Sequence, residues 1–124
     1  MSLVYVVEDH EDTRDGYAEY LTGCGFEVRT VGDAGEFWQI VDQRVPDVIL
    51  MDLRLPEVDG WALTREVRND ARTARVPVLV VSASVREEDR ALALESCADG
   101  FLPKPCNLDE MVRGIERLLQ RSAS

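Results

Sequence analysis

Three carboxylates, a hydroxyl and an ammonium, Glu8, Asp9, Asp52, Ser82 and Lys104, are the side chains of this sequence whose types and placement could do chemistry together. Each closes or follows a short, mostly apolar run: Leu3-Val-Tyr-Val-Val7 ends in Glu8-Asp9, Val48-Ile-Leu-Met51 in Asp52, Pro77-Val-Leu-Val-Val81 in Ser82, and Asp99-Gly-Phe-Leu102 leads to Lys104-Pro105. A single aspartate after an apolar run would read as a polar residue closing a strand, but here four runs end alike. Carboxylates ~4 Å apart repel by about 4 kcal/mol at an effective dielectric of about 20, so three of them at one rim call for a cation. Mg²⁺ (or Mn²⁺) suits Asp9 and Asp52, with Glu8 holding a bound water and a backbone carbonyl just past Asp52 completing the shell. A carboxylate is also a nucleophile toward phosphorus when the phosphoryl oxygens meet donors and positive charge, which Ser82 and Lys104 supply.

The elements that must bring these groups together alternate regularly. Val48 to Met51 show no polar alternation, as expected of a parallel strand covered on both faces. Pro56 and Asp59-Gly60 then mark a loop, and ligands of open α/β sheets bind at that strand edge. Arg14, Tyr17, Ala18 and Leu21 fall at helical spacing, stopped by Gly23 and Gly25. Phe26 to Val31 is more polar, an edge strand, and Ala34, Phe37, Trp38 and Val41 form the stripe of a second helix. After Gly60 a third helix runs to about Arg68 with Leu63 and Val67 inward. Ser84 with Glu87 forms a capping box opening a fourth helix through about Cys97. Asn107 with Glu110 caps a fifth, whose apolar face is Leu108, Met111, Val112, Ile115, Leu118 and Leu119. Five strand and helix alternations predict a three-layer flavodoxin-like α/β fold with a parallel sheet of order 2-1-3-4-5, which places the first and third strands side by side.

At 124 residues the chain fits one domain, residues 1–120, with 121–124 as a tail or truncated linker. The N-terminus lacks a basic region and cleavage site, and no apolar run reaches the ~20 residues of a membrane span, so a cytoplasmic protein is expected. Cys24, Cys97 and Cys106 form no Cys-x-x-Cys pair and are read as reduced small hydrophobes. A net charge of −10 disfavours direct nucleic-acid binding. His10, with no second histidine in the chain, is read as a solvent-facing loop residue; Trp38 is expected in the core and Trp61 half-exposed.

The acidic pair Glu8-Asp9, Asp52 within LMDLRLPEVDG, Ser82-Ala83 after VPVLVV, and Lys104-Pro105 preceded by Phe101 in DGFLPKP occur in this order on these elements. Through them the sequence resembles a CheY-like receiver domain, the phosphoacceptor module of two-component response regulators, over essentially its whole length. The resemblance implies Mg²⁺-dependent phosphorylation of Asp52 by a histidine kinase or histidine phosphotransfer protein, followed by slow hydrolysis, in a switch and not a turnover enzyme. It also implies metal contacts from Glu8, Asp9, Asp52 and the Arg54 carbonyl, and phosphoryl contacts from Ser82, the Ala83 backbone and Lys104. Ser82 and Phe101 carry over as the switch pair, Lys104-Pro105 as a cis peptide, and Arg54 and Ser84 as tuners of dephosphorylation. Glu8 departs from the usual aspartate, Ser82 from threonine and Phe101 from tyrosine. Donor docking is implied at Arg14, Tyr17 and the Pro105-Asn107 region. Output to an effector protein or domain, or to a phosphorylation-dependent homodimer, is implied through the fourth helix, fifth strand and fifth helix.

Three rivals are separated by particular residues. A haloacid-dehalogenase-type phosphatase needs a second aspartate two positions after the nucleophile, where Arg54 stands. A flavodoxin-like cofactor binder needs a phosphate-cradling loop after the first strand, and Glu8-Asp-His-Glu-Asp-Thr13 would repel one. A pseudo-receiver that only binds proteins would not need acceptor, metal ligand, hydroxyl and lysine together.

Overall fold

The computed structural model describes residues 1–53, 60–82, 98–104 and 107–123. The elements are β1 (Leu3–Val7), α1 (Glu11–Gly23), β2 (Glu27–Val31), α2 (Ala34–Gln43), β3 (Val48–Asp52), α3 (Gly60–Asn69), β4 (Val78–Ser82), β5 (Gly100–Pro103) and α4 (Leu108–Ala123). The helix expected from Ser84 to about Cys97 lies outside the described residues, as do the Arg54 carbonyl, Ala83, Ser84, the Lys104-Pro105 peptide and Cys106. All strands pair in parallel in the order β2-β1-β3-β4-β5, the order expected from the sequence.

Alternation along each strand divides the core in two. Tyr5, Val7, Ile49, Met51, Val78 and Val80 face one side, where Phe37, Ile40 and Val41 of α2 and Trp61, Leu63 and Val67 of α3 cover them. Val4, Val6, Val48, Leu50, Leu79 and Val81 face the other, against Leu21 of α1 and Met111, Ile115 and Leu118 of α4. Burial on both faces is why β1 and β3 carry uninterrupted apolar runs. β2 pairs only with β1, and its first four residues are half-buried, which its polar composition allows.

The helix ends follow local chemistry. Gly25, at φ +97°, closes α1: its N–H donates to the Thr22 carbonyl and the Phe26 N–H to the Leu21 carbonyl, the paired bonds of a Schellman motif. Asp33 caps α2 through the Glu36 N–H at 2.8 Å, and Asn107 caps α4 through the Asp109 N–H at 2.7 Å. His10 is exposed as expected, yet it is more than a loop residue, because its Nδ1 accepts the Thr13 N–H at 3.3 Å and caps α1. α4 continues through Arg121 and Ser122, residues the sequence assigns to a tail. At the base of the sheet, Arg68 donates to the carbonyls of Ala74 and Val76 and pairs with Asp99, whose carboxylate also accepts the Val78 N–H at 2.8 Å.

Two packing expectations are corrected. Trp61 is buried, 7% exposed, within the α2/α3 core layer, whereas Trp38 is the half-buried one, edge-on to Phe37 and covered by the Arg72 guanidinium. The second helix needs only Phe37 and Ile40-Val41 to reach the sheet, which leaves Trp38 at its flank. Cys24 is not a packed hydrophobe: it is an exposed free thiol at the C-cap of α1, put there by the turn that Gly25 permits.

Tyr5 is the polar exception within β1. Its hydroxyl donates to the carbonyls of Ile40 (3.2 Å) and Arg44, tying the end of α2 to the sheet, and burial raises its pKa. Tyr5→Phe keeps the ring but strips a buried donor from these carbonyls, so urea unfolding should show a loss of about 1–2 kcal/mol. An unchanged midpoint would mean that the hydroxyl does not hold α2.

Candidate functional site

Parallel register carries the reactive groups to one level. Val7 pairs with Met51, Asp52 with Val81, and Ser82 with Pro103, so Glu8, Asp52, Ser82 and Lys104 all arrive at the carboxyl rim of the sheet. The ladder extends one residue past β1, with the Glu8 N–H donating to the Val31 carbonyl at 3.0 Å. Carboxylate oxygens of Glu8, Asp9 and Asp52 lie within 4.8 Å of one another. Lys104 Nζ sits 3.2 Å from Glu8 Oε2 and 3.5 Å from Asp52 Oδ1. Glu8 and Asp52 are buried at 3% and 6% exposure, while Asp9 is open to solvent and Lys104 half-buried.

Among the described residues, three carboxylates at the rim face one ammonium, which leaves negative charge in excess. Burial of Glu8, then its hydrogen bond to Asp52 and the charge of Asp52, raise its pKa from 4.5 to about 7, with Lys104 pulling the other way. The donor set is all oxygen and carries excess negative charge, which fits a hard divalent cation and excludes a soft-metal site.

Asp52 is also fixed from behind. The Gly60 N–H donates to the Leu53 carbonyl at 2.8 Å, drawing the start of α3 onto the end of β3. A Cβ at residue 60 would collide with the Asp52 carbonyl oxygen and with Leu53 Cα. The sequence marks Gly60 only as a turn residue; that it must be a glycine because another backbone passes against it becomes visible once α3 is placed.

A profile of the response regulator receiver domain matches residues 4–116. The chain belongs to this family. Among its relatives, the transcriptional regulatory protein GltR of Pseudomonas aeruginosa is 34% identical over 119 residues, which are 96% of this chain and 49% of GltR. The receiver spans about half the length of the curated relatives it matches. Among solved structures, the receiver domain of a Pseudomonas aeruginosa sensor histidine kinase, with a magnesium ion coordinated in its active-site cleft, is 29% identical at a TM-score of 0.87, covering 96% of this chain and 98% of that one. The signal receiver domain of a histidine kinase from Syntrophus aciditrophicus is 27% identical at a TM-score of 0.90, covering 97% and 91%.

Within this receiver, Glu8, Asp9, Asp52 and Lys104 converge as the sequence predicts. Ser82 ends β4 at the same rim, through the backbone pairing given above. Phe101, in the edge strand β5, is half-buried and packs against the α2/α3 core layer. Tyr17 packs against the opposite layer. Arg14, expected on a docking surface, is half-buried and turns its guanidinium back toward the Glu8 carbonyl oxygen, 3.5 Å away.

Because the Glu8 carboxyl is raised, the folded state binds more protons than the unfolded one between about pH 4.5 and 7. In chelator, stability should therefore fall as pH rises through that window, and Glu8→Gln should flatten the fall; equal pH slopes for both proteins in urea unfolding would contradict the raised value. Gly60→Ala should destabilise by about 1–3 kcal/mol through backbone overlap, read as a lowered urea midpoint.

Proposed function

We propose that this receiver is the phosphoacceptor switch of a two-component phosphorelay, with Asp52 as the acceptor. The observation that carries the reading is the buried Asp52 carboxylate standing 3.5 Å from the Lys104 ammonium at the carboxyl rim, with Glu8 and Asp9 beside it. A carboxylate so placed is oriented and kept from free solvent, and an incoming phosphoryl group meets a fixed cation. An Asp52 oxygen forms the new bond to phosphorus as the bond from phosphorus to a donor histidine nitrogen breaks, the electron pair leaving with the imidazole.

Glu8, Asp9 and Asp52, with the Arg54 carbonyl, would hold Mg²⁺ or Mn²⁺, which when bound neutralises charge on the phosphoryl oxygens. The magnesium-bearing relative supports this assignment. Lys104 takes one phosphoryl oxygen, and the Ser82 hydroxyl and Ala83 N–H take others. Ser82 and Phe101 form the switch pair, a cis Lys104-Pro105 peptide, as the family resemblance implies, would aim the ammonium, and Arg54 and Ser84 tune the attack of water on the phosphorylated form. The chain acts on its own aspartate and is not a turnover enzyme on an external substrate.

The partners that fit are a cytoplasmic histidine kinase or phosphotransfer protein and a downstream effector protein or domain, with a phosphorylation-dependent homodimer as one form of output. The face around β5, α4 and the segment before β5 carries that output. A direct nucleic-acid contact is disfavoured by the charge of −10, and no helix among the described residues is long and apolar enough to cross a membrane.

Incubation with acetyl phosphate tests the acceptor. A hydroxylamine-labile phosphoryl adduct should form on the native chain with Mg²⁺ and be absent without the metal or in Asp52→Asn. An adduct that persists in Asp52→Asn would place the acceptor elsewhere, and no adduct under any condition would favour a module that only binds proteins.

A further inference from the structure

Behind the acidic pair, on the side away from Lys104, Arg14 and Gly32 meet. Arg14 stands one turn into α1, and its Nη1 approaches the Glu8 carbonyl oxygen at 3.5 Å. Gly32, the first residue after β2, is buried beneath that guanidinium: a Cβ there would lie 2.7 Å from Arg14 Nη1 and 4.0 Å from Glu8 O. Its backbone does not take the left-handed conformation that Gly25 does, so what the missing side chain supplies is room.

We propose that Arg14 is a positioning residue for Glu8 and Asp9, seated there because residue 32 has no side chain. Two peptide planes meet at the Glu8 Cα, and each has a partner. On the N-terminal side of the Glu8 Cα, the peptide N–H is bonded to the Val31 carbonyl at 3.0 Å. On the C-terminal side, the peptide carbonyl points at the guanidinium. With both planes held, the Glu8 side chain leaves the backbone in one direction, and Asp9, which is exposed and has no strand partner to fix it, starts from a fixed plane. The 3.5 Å contact is long for a hydrogen bond, so its weight lies in the guanidinium's charge against the carbonyl dipole and in its confinement over Gly32.

The inference rests on the metal-binding part of the proposed function and is tested without phosphorylation. Calorimetric titration of the folded full chain with Mg²⁺ alone would compare the wild type with Arg14→Gln, Arg14→Lys, Gly32→Ala and the Arg14→Gln/Gly32→Ala double variant. Loss of an outer partner of a metal ligand typically weakens affinity by about 10–100-fold, and an effect on the order of tenfold is expected for Arg14→Gln. Gly32→Ala, which pushes the guanidinium aside, should weaken binding similarly; the double variant should be no worse than Arg14→Gln, and Arg14→Lys should recover part of the loss. Wild-type affinity in Arg14→Gln, the result expected of a residue that only meets a donor protein, would overturn the inference, as would full additivity of the two substitutions. A wild-type chain that does not bind Mg²⁺ would instead overturn the metal assignment, and the inference with it.

Discussion

Like charges gathered at one rim of a sheet govern much of what surrounds them. Glu8, Asp9 and Asp52 are brought within 4.8 Å by strand register, and each pair works against the fold unless a cation or a proton intervenes. Lys104 answers part of that need from the end of β5, at 3.2 and 3.5 Å, and a proton shared near Glu8 answers another part. The rest of the chain serves to keep this repulsion from relaxing. Two apolar layers lock the strands that carry the acids, and Gly60 lets α3 press directly on the backbone of Asp52. A site held under such unbalanced charge suits a divalent cation.

The departure at Glu8 gains meaning in this setting. Its longer side chain reaches Lys104 at 3.2 Å, closer than Asp52 does, so the ammonium is shared unequally and leans toward the first strand. Lys104 therefore stands between two carboxylates that compete for the same charge. With its pKa raised to about 7 by burial and by Asp52, Glu8 takes up a proton as pH falls below neutrality, and that uptake moderates the competition.

Strand order and the convergence of Glu8, Asp9, Asp52 and Lys104 were legible in the sequence because each strand is an apolar run ending in a polar group, and because parallel pairing leaves few arrangements for such runs. Less legible were features set by what packs across elements. Trp38 and Trp61 exchange their expected burial because helical periodicity places a stripe without saying how far its flank reaches. Cys24 reads as a small hydrophobe by type, but the Schellman turn at Gly25 leaves it outside. Arg14 looks like a surface cation when only its own helix is considered; the bare Gly32 beneath it, on another element, is what admits its guanidinium to the back of the site. Glycines at close approaches and arginines that fold inward depend on neighbours distant in sequence, and periodicity carries no trace of them.

The brace at the opposite end of the sheet bears on where the lysine arrives. Arg68 grips the carbonyls of Ala74 and Val76 while pairing with Asp99, and Asp99 in turn holds the first amide of β4. The entry to β5 is thereby anchored to its neighbour and to the exit of α3. With its origin fastened, β5 runs in register beside β4 from Gly100 to Pro103, and the length of that short strand alone sets how far up the rim the lysine is delivered to Glu8 and Asp52.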